Sequence, residues 1–247
     1  MTFLSRVSAT AQRRWVRGWA RLTLRAFGVR IKLLGQSFGP QADRNFIDLS
    51  GLVVANHVSW LDILAIDAVS PCRFIAKAEI RTWVLVGTLC ERAGTLFIER
   101  GRRHAVHQML GQLESCLRSE GRVGVFPEGT TSDGRCVLPF HANLIESAVR
   151  VGCPVLPLAL RYEERGVPFS NAVEYTGETT FARSIWRILG AHQLTAILLP
   201  LTPIIPRPGM TRHDLASAAQ SAIRQALFGQ DATRAAAPAV PLETLGA

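Results

Sequence analysis

Apolar residues along this chain fall into two alternating kinds of stretch. Short apolar runs occupy 52–55 (LVVA), 73–76, 95–98 (TLFI), 122–126 (RVGVF), 154–160 (PVLPLAL), 172–175 and 194–199. Runs this short, bounded by turn residues, read as buried strands. Longer stretches between them, at 60–69, 79–92, 104–119, 142–151, 180–190 and 211–228, repeat their apolar positions at helical spacing. In the third of these, Val106, Met109, Leu110, Leu113 and Leu117 share one face. Residues 29–34 (VRIKLL) add a short alternating strand ahead of the series, and Gly35 to Pro40 form a turn. Strands alternating with helices predict an α/β fold, a mixed, largely parallel sheet flanked by helices. No internal repeat is visible. Residues 229–247, rich in alanine and proline, predict a disordered tail.

One stretch stands apart. Plotted at about 100° per residue, Arg13, Arg14, Arg17, Arg21 and Arg25 fall in one arc of a helix over 13–27. Trp15, Val16, Trp19, Leu22, Thr23, Ala26 and Phe27 fall opposite, with Leu24 the exception. Tryptophan and phenylalanine backed by arginine is the pattern of a helix lying in a membrane surface. A basic face on a helix packed against its own core is the competing reading. The organisation expected is therefore a membrane-associating amphipathic helical segment at 1–35, an α/β domain at 36–228 and the tail.

Charge supports a surface partner. The 247-residue chain has a formal net charge of +9, and residues 1–32 hold eight basic side chains and no acidic one. Such an end needs an anionic partner, a phospholipid surface or a nucleic acid. No nucleic-acid motif appears, and only 7% of residues are aromatic, so lipid is the expected partner and nucleic acid is not. No stretch is long and apolar enough to span a bilayer as a simple helix, and no secretory signal is evident. Five scattered cysteines without a C-x-x-C pair read as free thiols in a reducing compartment. The expected location is peripheral, on the cytoplasmic face of the inner membrane.

Three polar constellations follow directly on strand-like runs, the place where ligands collect in α/β sheets. In VVANHVSWLDI (53–63), His57 and Asp62 are five apart. They cannot pair inside one regular helix. They can pair if His57 sits in the turn after a strand and Asp62 in the first turn of the next helix, giving an imidazole oriented by a carboxylate. A histidine in an ordinary turn and an aspartate capping a helix is the plain alternative. In VGVFPEGTTSDG (123–134), Glu128, Gly129, Thr130, Thr131 and Ser132 could offer donors to a phosphate, or form a polar turn. In GTLFIERGRR (94–103), a strand delivers Glu99, Arg100, Arg102 and Arg103, and guanidinium forks suit phosphate oxygens. His104 and His107 share a helix face but lack a third ligand, so no metal is expected.

Taken in order, N-H-x-x-x-x-D, G-x-[IL]-F-I-[DE]-R, F-P-E-G-T and the V-L-P-L segment at 155–158 resemble the glycerolipid acyltransferases, specifically the lysophosphatidate acyltransferases. The resemblance runs from about Trp15 to about Pro203. It implies His57 as general base and Asp62 as its orienting partner. It implies Arg100 as holder of the acceptor phosphate with Glu99 beside it. Glu128, Gly129 and Thr130 would shape the acceptor site, Pro157 would border the acyl-donor side, and Lys77 and Glu79 lie in a further shared segment. Two departures, Glu99 where aspartate is common and Val84 where proline is usual, leave this chemistry intact. The implied reaction transfers a fatty acyl group from an acyl thioester of coenzyme A or acyl-carrier protein to lysophosphatidate, with no cofactor. Lyso-ornithine lipid or another lysophospholipid is the alternative acceptor. A non-catalytic basic binding module is a more distant reading. So is a serine hydrolase at Gly35–Gly39, where Ser37 lacks the following helix that a nucleophile turn needs.

Overall fold

The structure, a computed structural model, describes residues 8–34, 46, 49–82, 86–98, 103–119 and 121–229. Its centre is an eight-stranded sheet. The strands are β1 (Arg30–Leu33), β2 (Gly51–Ala55), β3 (Arg73–Lys77), β4 (Leu96–Ile98), β5 (Arg122–Val125), β6 (Val155–Glu164), β7 (Val167–Pro168) and β8 (Leu194–Pro200). Their spatial order is β1-β8-β6-β2-β5-β3-β4, with β7 paired to β6. All pairings are parallel except those of β6 with β8 and with β7. The expected mixed, largely parallel sheet is thus what the chain forms, and β1 is part of it, at the edge beside β8.

Seven α-helices cover the sheet among the described residues: α1 (Ala9–Ala26), α2 (Leu61–Val69), α3 (Val86–Ala93), α4 (Arg103–Arg118), α5 (Glu146–Val151), α6 (Phe181–Gly190) and α7 (Arg212–Phe228). Alternation along the central strand sorts the core into two layers. Val53 and Ala55 of β2 face a cluster with Ala20 and Leu24 of α1, Leu61, Leu64 and Ala65 of α2, and Ile188 of α6. Leu52 and Val54 face Met109 and Leu113 of α4, Ile145 just before α5, and Leu215 and Ala219 of α7. Helix α2 is apolar almost all round because it is sandwiched between the sheet and α1, burying eight of its nine residues.

Three expectations change. Residues 172–175 form no strand; Asn171–Val173 is a 3₁₀ turn whose start is capped by the Ser170 hydroxyl, accepting from Ala172 N. The single helix expected over 79–92 is two elements, a 3₁₀ turn at Ala78–Thr82 and then α3. In α1, Leu24 is no exception to the helix pattern. With Val16 and Ala20 it forms the buried seam, while Arg21, within the basic arc, donates from Nε to Ala68 O at 2.9 Å. Helix α1 therefore has a core face, a basic face and a third, exposed apolar face carrying Trp15 and Leu22. Residues 230–247, the expected tail, and Ser37 lie outside the described residues.

Candidate active site

Strand β2 ends at Ala55, and the chain turns toward α2 through Asn56 to Trp60. Asn56 fixes the exit. Its amide donates to Leu160 O and accepts from Leu160 N, both at 2.8 Å, so one side chain continues the ladder to β6. His57 then stands at the carboxyl end of the strand, with Asp62 in the first turn of α2. His57 Nδ1 lies 2.7 Å from Asp62 Oδ2. The same oxygen accepts from Val58 N at 2.7 Å and Ser59 N at 3.0 Å, and Oδ1 accepts from the Tyr162 hydroxyl at 2.8 Å. Asp62 is wholly buried. Four donors on a buried carboxylate satisfy its oxygens and fix it in place. They are also what makes a five-residue separation work, because Asp62 caps the turn that brings His57 back to it.

A carboxylate at Nδ1 places that ring proton there and leaves Nε2 as the acceptor. The structure gives Nε2 no partner among the described residues, and the His57 side chain is 19% exposed. Its ring lies flat on Phe126, 4.0 Å between centroids and 11° between planes, and Phe126 stacks in turn on Phe74 at 5.6 Å. Gly124 makes room for this column. A Cβ there would stand 2.4 Å from the Phe74 ring.

Glu128 is buried, and its two oxygens accept from His57 N at 2.8 Å and Leu138 N at 3.1 Å. Burial pushes its carboxyl up to about 7, against the pull of those two amide bonds. Ser132 N donates to His57 O at 2.8 Å, and the Thr131 hydroxyl donates to Tyr175 O. The loop after β5 thus grips the backbone of His57 from both sides, and two of the three hydroxyls expected to meet a phosphate, those of Thr131 and Ser132, bond within the protein, the latter to His57 O at 3.3 Å. Gly129, at a φ of 70°, and Thr130 remain exposed at the rim. Pro157 sits in β6 opposite Val54 of β2. Lys77 ends β3 and Glu79 is exposed in the turn that follows. Glu99 and Arg100 lie outside the described residues, and so does the side chain of Lys77.

Tyr162 and Phe74 are participants that motif reading missed; each reaches the site from a strand distant in sequence, and nothing in local spacing marks them, while Gly124 stands in the 123–134 segment with no role assigned to it. Burial, then the charge of Asp62 and its hydrogen bond, raise the Tyr162 hydroxyl pKa well above its ordinary value, so it stays a donor. Beside the ring column lies an apolar cavity of about 360 Å³, walled by Trp19 and Phe27 from the α1 end, Trp60 and Phe74, and Phe181 and Ile185 of α6. Its polar lining includes Asp67, whose carboxyl is pushed up to about 8 by burial despite a bond from Cys72 N. Among the described residues no three histidine, cysteine, aspartate or glutamate side chains are grouped to hold a metal.

A family model described as acyltransferase matches residues 41–161. The lyso-ornithine lipid O-acyltransferase of Pseudomonas aeruginosa is 41% identical over 72% of this chain and 68% of its own length. The chain belongs to the acyltransferase family. The 1-acyl-sn-glycerol-3-phosphate acyltransferase of Neisseria meningitidis is 40% identical over 58% of this acyltransferase, and the match spans only 56% of the Neisseria protein. A crystal structure of the 1-acyl-sn-glycerophosphate acyltransferase from Thermotoga maritima shares the fold. Its TM-score is 0.66 at 23% identity, covering 91% of this chain and 83% of that one. The family match takes in the His57, Glu128 and Pro157 segments together, which belong to β2, β5 and β6, three neighbouring strands at the centre of the sheet.

Proposed function

We propose that this acyltransferase moves a fatty acyl group from an acyl thioester to the free hydroxyl of a lysophospholipid, with His57 as general base and Asp62 as its orienting partner. The observation that carries the reading is the 2.7 Å contact of His57 Nδ1 with a buried, four-times hydrogen-bonded Asp62, which leaves Nε2 for the acceptor. A thioester carbonyl is already electrophilic and its thiol leaves readily, so the step needing help is deprotonation of the alcohol. Nε2 takes that proton as the hydroxyl oxygen attacks, and Asp62 offsets the imidazolium charge, a contribution worth about 10²–10⁴ in rate. The thiol departs with the proton as the tetrahedral intermediate collapses. Glu128 acts as a positioning residue, holding the His57 backbone. The apolar cavity beside Phe74 suits a hydrocarbon chain. Arg100, by its motif, holds the acceptor phosphate with Glu99 beside it, and Gly129, Thr130 and Lys77 border that acceptor.

Lysophosphatidate, giving phosphatidate, is the first acceptor proposed. Lyso-ornithine lipid is the second, favoured by the Pseudomonas relative of that name, which matches a greater share of this chain than the Neisseria relative does. Coenzyme A or acyl-carrier protein carries the donor. The membrane-facing element is α1, on the cytoplasmic face of the inner membrane; no described helix is long and apolar enough to cross a membrane. The test incubates purified protein in detergent micelles with labelled acyl thioester and each acceptor, beside a His57→Ala variant. Product from the parent, lost in the variant, is expected, and the acceptor used separates the two readings. Equal product from both proteins refutes His57 as base.

A further inference from the structure

Trp60 wedges between two helices. Its ring meets Phe27 at the end of α1, 5.5 Å between centroids, and Phe181 at the start of α6, 5.0 Å away, and its Nε1 donates to Ser184 of α6 at 3.0 Å. The apolar cavity opens beside this wedge, walled by Trp19 and Phe27 on one side and Phe181 and Ile185 on the other. Around α6, stepping about 100° per residue, the apolar surface does not stop at the cavity wall. It continues from Phe181 and Ile185 onto Leu189 and Trp186, which are 49% and 75% exposed. Around α1 it continues in the same way, from Trp19 onto Trp15 and Leu22, 40% and 66% exposed. Seven large apolar side chains are exposed among the described residues, and four of them lie on these two helices, framing one cavity.

We propose that α6 is a second membrane-contact helix, which together with α1 seats the mouth of the apolar cavity on an anionic lipid bilayer. This extends the membrane reading of α1 given above and rests on it. The charge pattern selects the occupant. Neither helix contains an aspartate or glutamate, and each carries arginines alongside its exposed aromatics. Arg183 of α6 is exposed; the Arg187 guanidinium donates to Asn171 O and Glu174 O and lies 3.9 Å from the Glu174 carboxylate. On α1, burial and then the neighbouring charges of Arg17 and Arg25 lower the Arg21 pKa. Tryptophan and leucine beside arginine match the headgroup boundary, where apolar rings enter the acyl region and guanidinium groups meet phosphates. Two such contacts fix the orientation of the protein on the bilayer, which one helix alone leaves free to roll. A hydrocarbon chain then passes between bilayer and cavity along apolar surface throughout.

The experiment is sedimentation of the full chain with vesicles of phosphatidylglycerol and phosphatidylethanolamine, and separately of phosphatidylcholine. Three proteins are compared: the parent, Trp186→Ala/Leu189→Ala, and Trp15→Ala/Leu22→Ala. Each pair removes two exposed apolar anchors, so each is expected to lower partition onto the anionic vesicles on the order of tenfold. Thermal melting and acyl transfer in detergent micelles should stay at parent values for the α6 pair. Arg183→Glu is expected to weaken binding to the anionic vesicles and to leave phosphatidylcholine binding unchanged. If only the α1 pair loses binding, the α6 proposal is refuted and the α1 reading stands. If neither pair loses binding, both are refuted. Self-association without lipid that the α6 pair abolishes would assign this face to a second copy of the chain and overturn the proposal.

Discussion

Asp62→Asn is the substitution that separates what Asp62 does for the fold from what its charge does for the reaction. Asp62→Ala cannot do so. It would strip the acceptor from four donors, Val58 N, Ser59 N, His57 Nδ1 and the Tyr162 hydroxyl. At about 1–3 kcal/mol for each buried donor left unmet, the loss is about 4 kcal/mol at the lower end. That rivals the entire stability of a domain, roughly 5–15 kcal/mol. Asparagine has the same shape. Its amide oxygen, in the place of Oδ2, still accepts from the two backbone amides and from His57. Its amide nitrogen then faces Tyr162, whose hydroxyl can turn and accept. The expected stability loss is about 1–2 kcal/mol, and the fold survives. What disappears is the negative charge that offsets the imidazolium, so the rate is expected to fall by about 10²–10⁴. The assay follows thiol release from an acyl thioester on addition of lysophosphatidate, beside a thermal melt of the same sample. A variant that melts near the parent and keeps its rate within about threefold would refute the assignment of Asp62 as the partner of a catalytic base.

Two further outcomes are expected. Gly124→Ala puts a Cβ 2.4–2.8 Å from atoms of the Phe74 ring, which must shift and disturb the column that supports Phe126 and His57. A loss of about 1–3 kcal/mol by denaturant unfolding, with a fall in kcat larger than the change in KM, is expected; parent stability and kcat would show that the column bears no strain. Asp67 concerns pH. Burial raises its carboxyl from 3.8 to about 8, so the folded protein keeps a proton that the unfolded chain has lost between roughly those values. The folded state then binds more protons, and this group's contribution to stability falls as pH rises through that window. Asp67→Asn is expected to flatten the decline between pH 5 and pH 9 relative to the parent, measured by denaturant unfolding at each pH. Parallel slopes for the two proteins would exclude Asp67 as its source.

The element pattern was largely legible because burial on both faces of a parallel sheet leaves compact apolar runs, such as 52–55 and 194–199, and because helices such as α4 keep one apolar face. It failed where local bonding overrode composition. Ser170 caps a 3₁₀ turn at Asn171, where the apolar run had suggested a strand. The run at 79–92 opens in a 3₁₀ turn, Ala78–Thr82, and is α-helical only from Val86 to Ala93. In α1, the arc containing the arginines and the arc containing the tryptophans were both legible. The seam of Val16, Ala20 and Leu24 was not, because a helix with three different neighbours cannot be read from a two-sided pattern.

At the site, the sequence by itself determined which local groups could react: His57 and Asp62 close enough along the chain to meet through one turn, and Glu128 after a second strand. It also determined the alternation of strands and helices that makes the sheet. Only the tertiary structure decided what those groups touch. Tyr162 reaches Asp62 across 100 residues, Phe74 completes a ring column through Phe126, and Glu128 bonds the His57 amide. The physical reason is that spacing encodes contacts within one element or turn, where backbone geometry is fixed. Contacts between elements depend on strand order, and β2 has β5 on one side and β6 on the other only after the whole sheet has assembled.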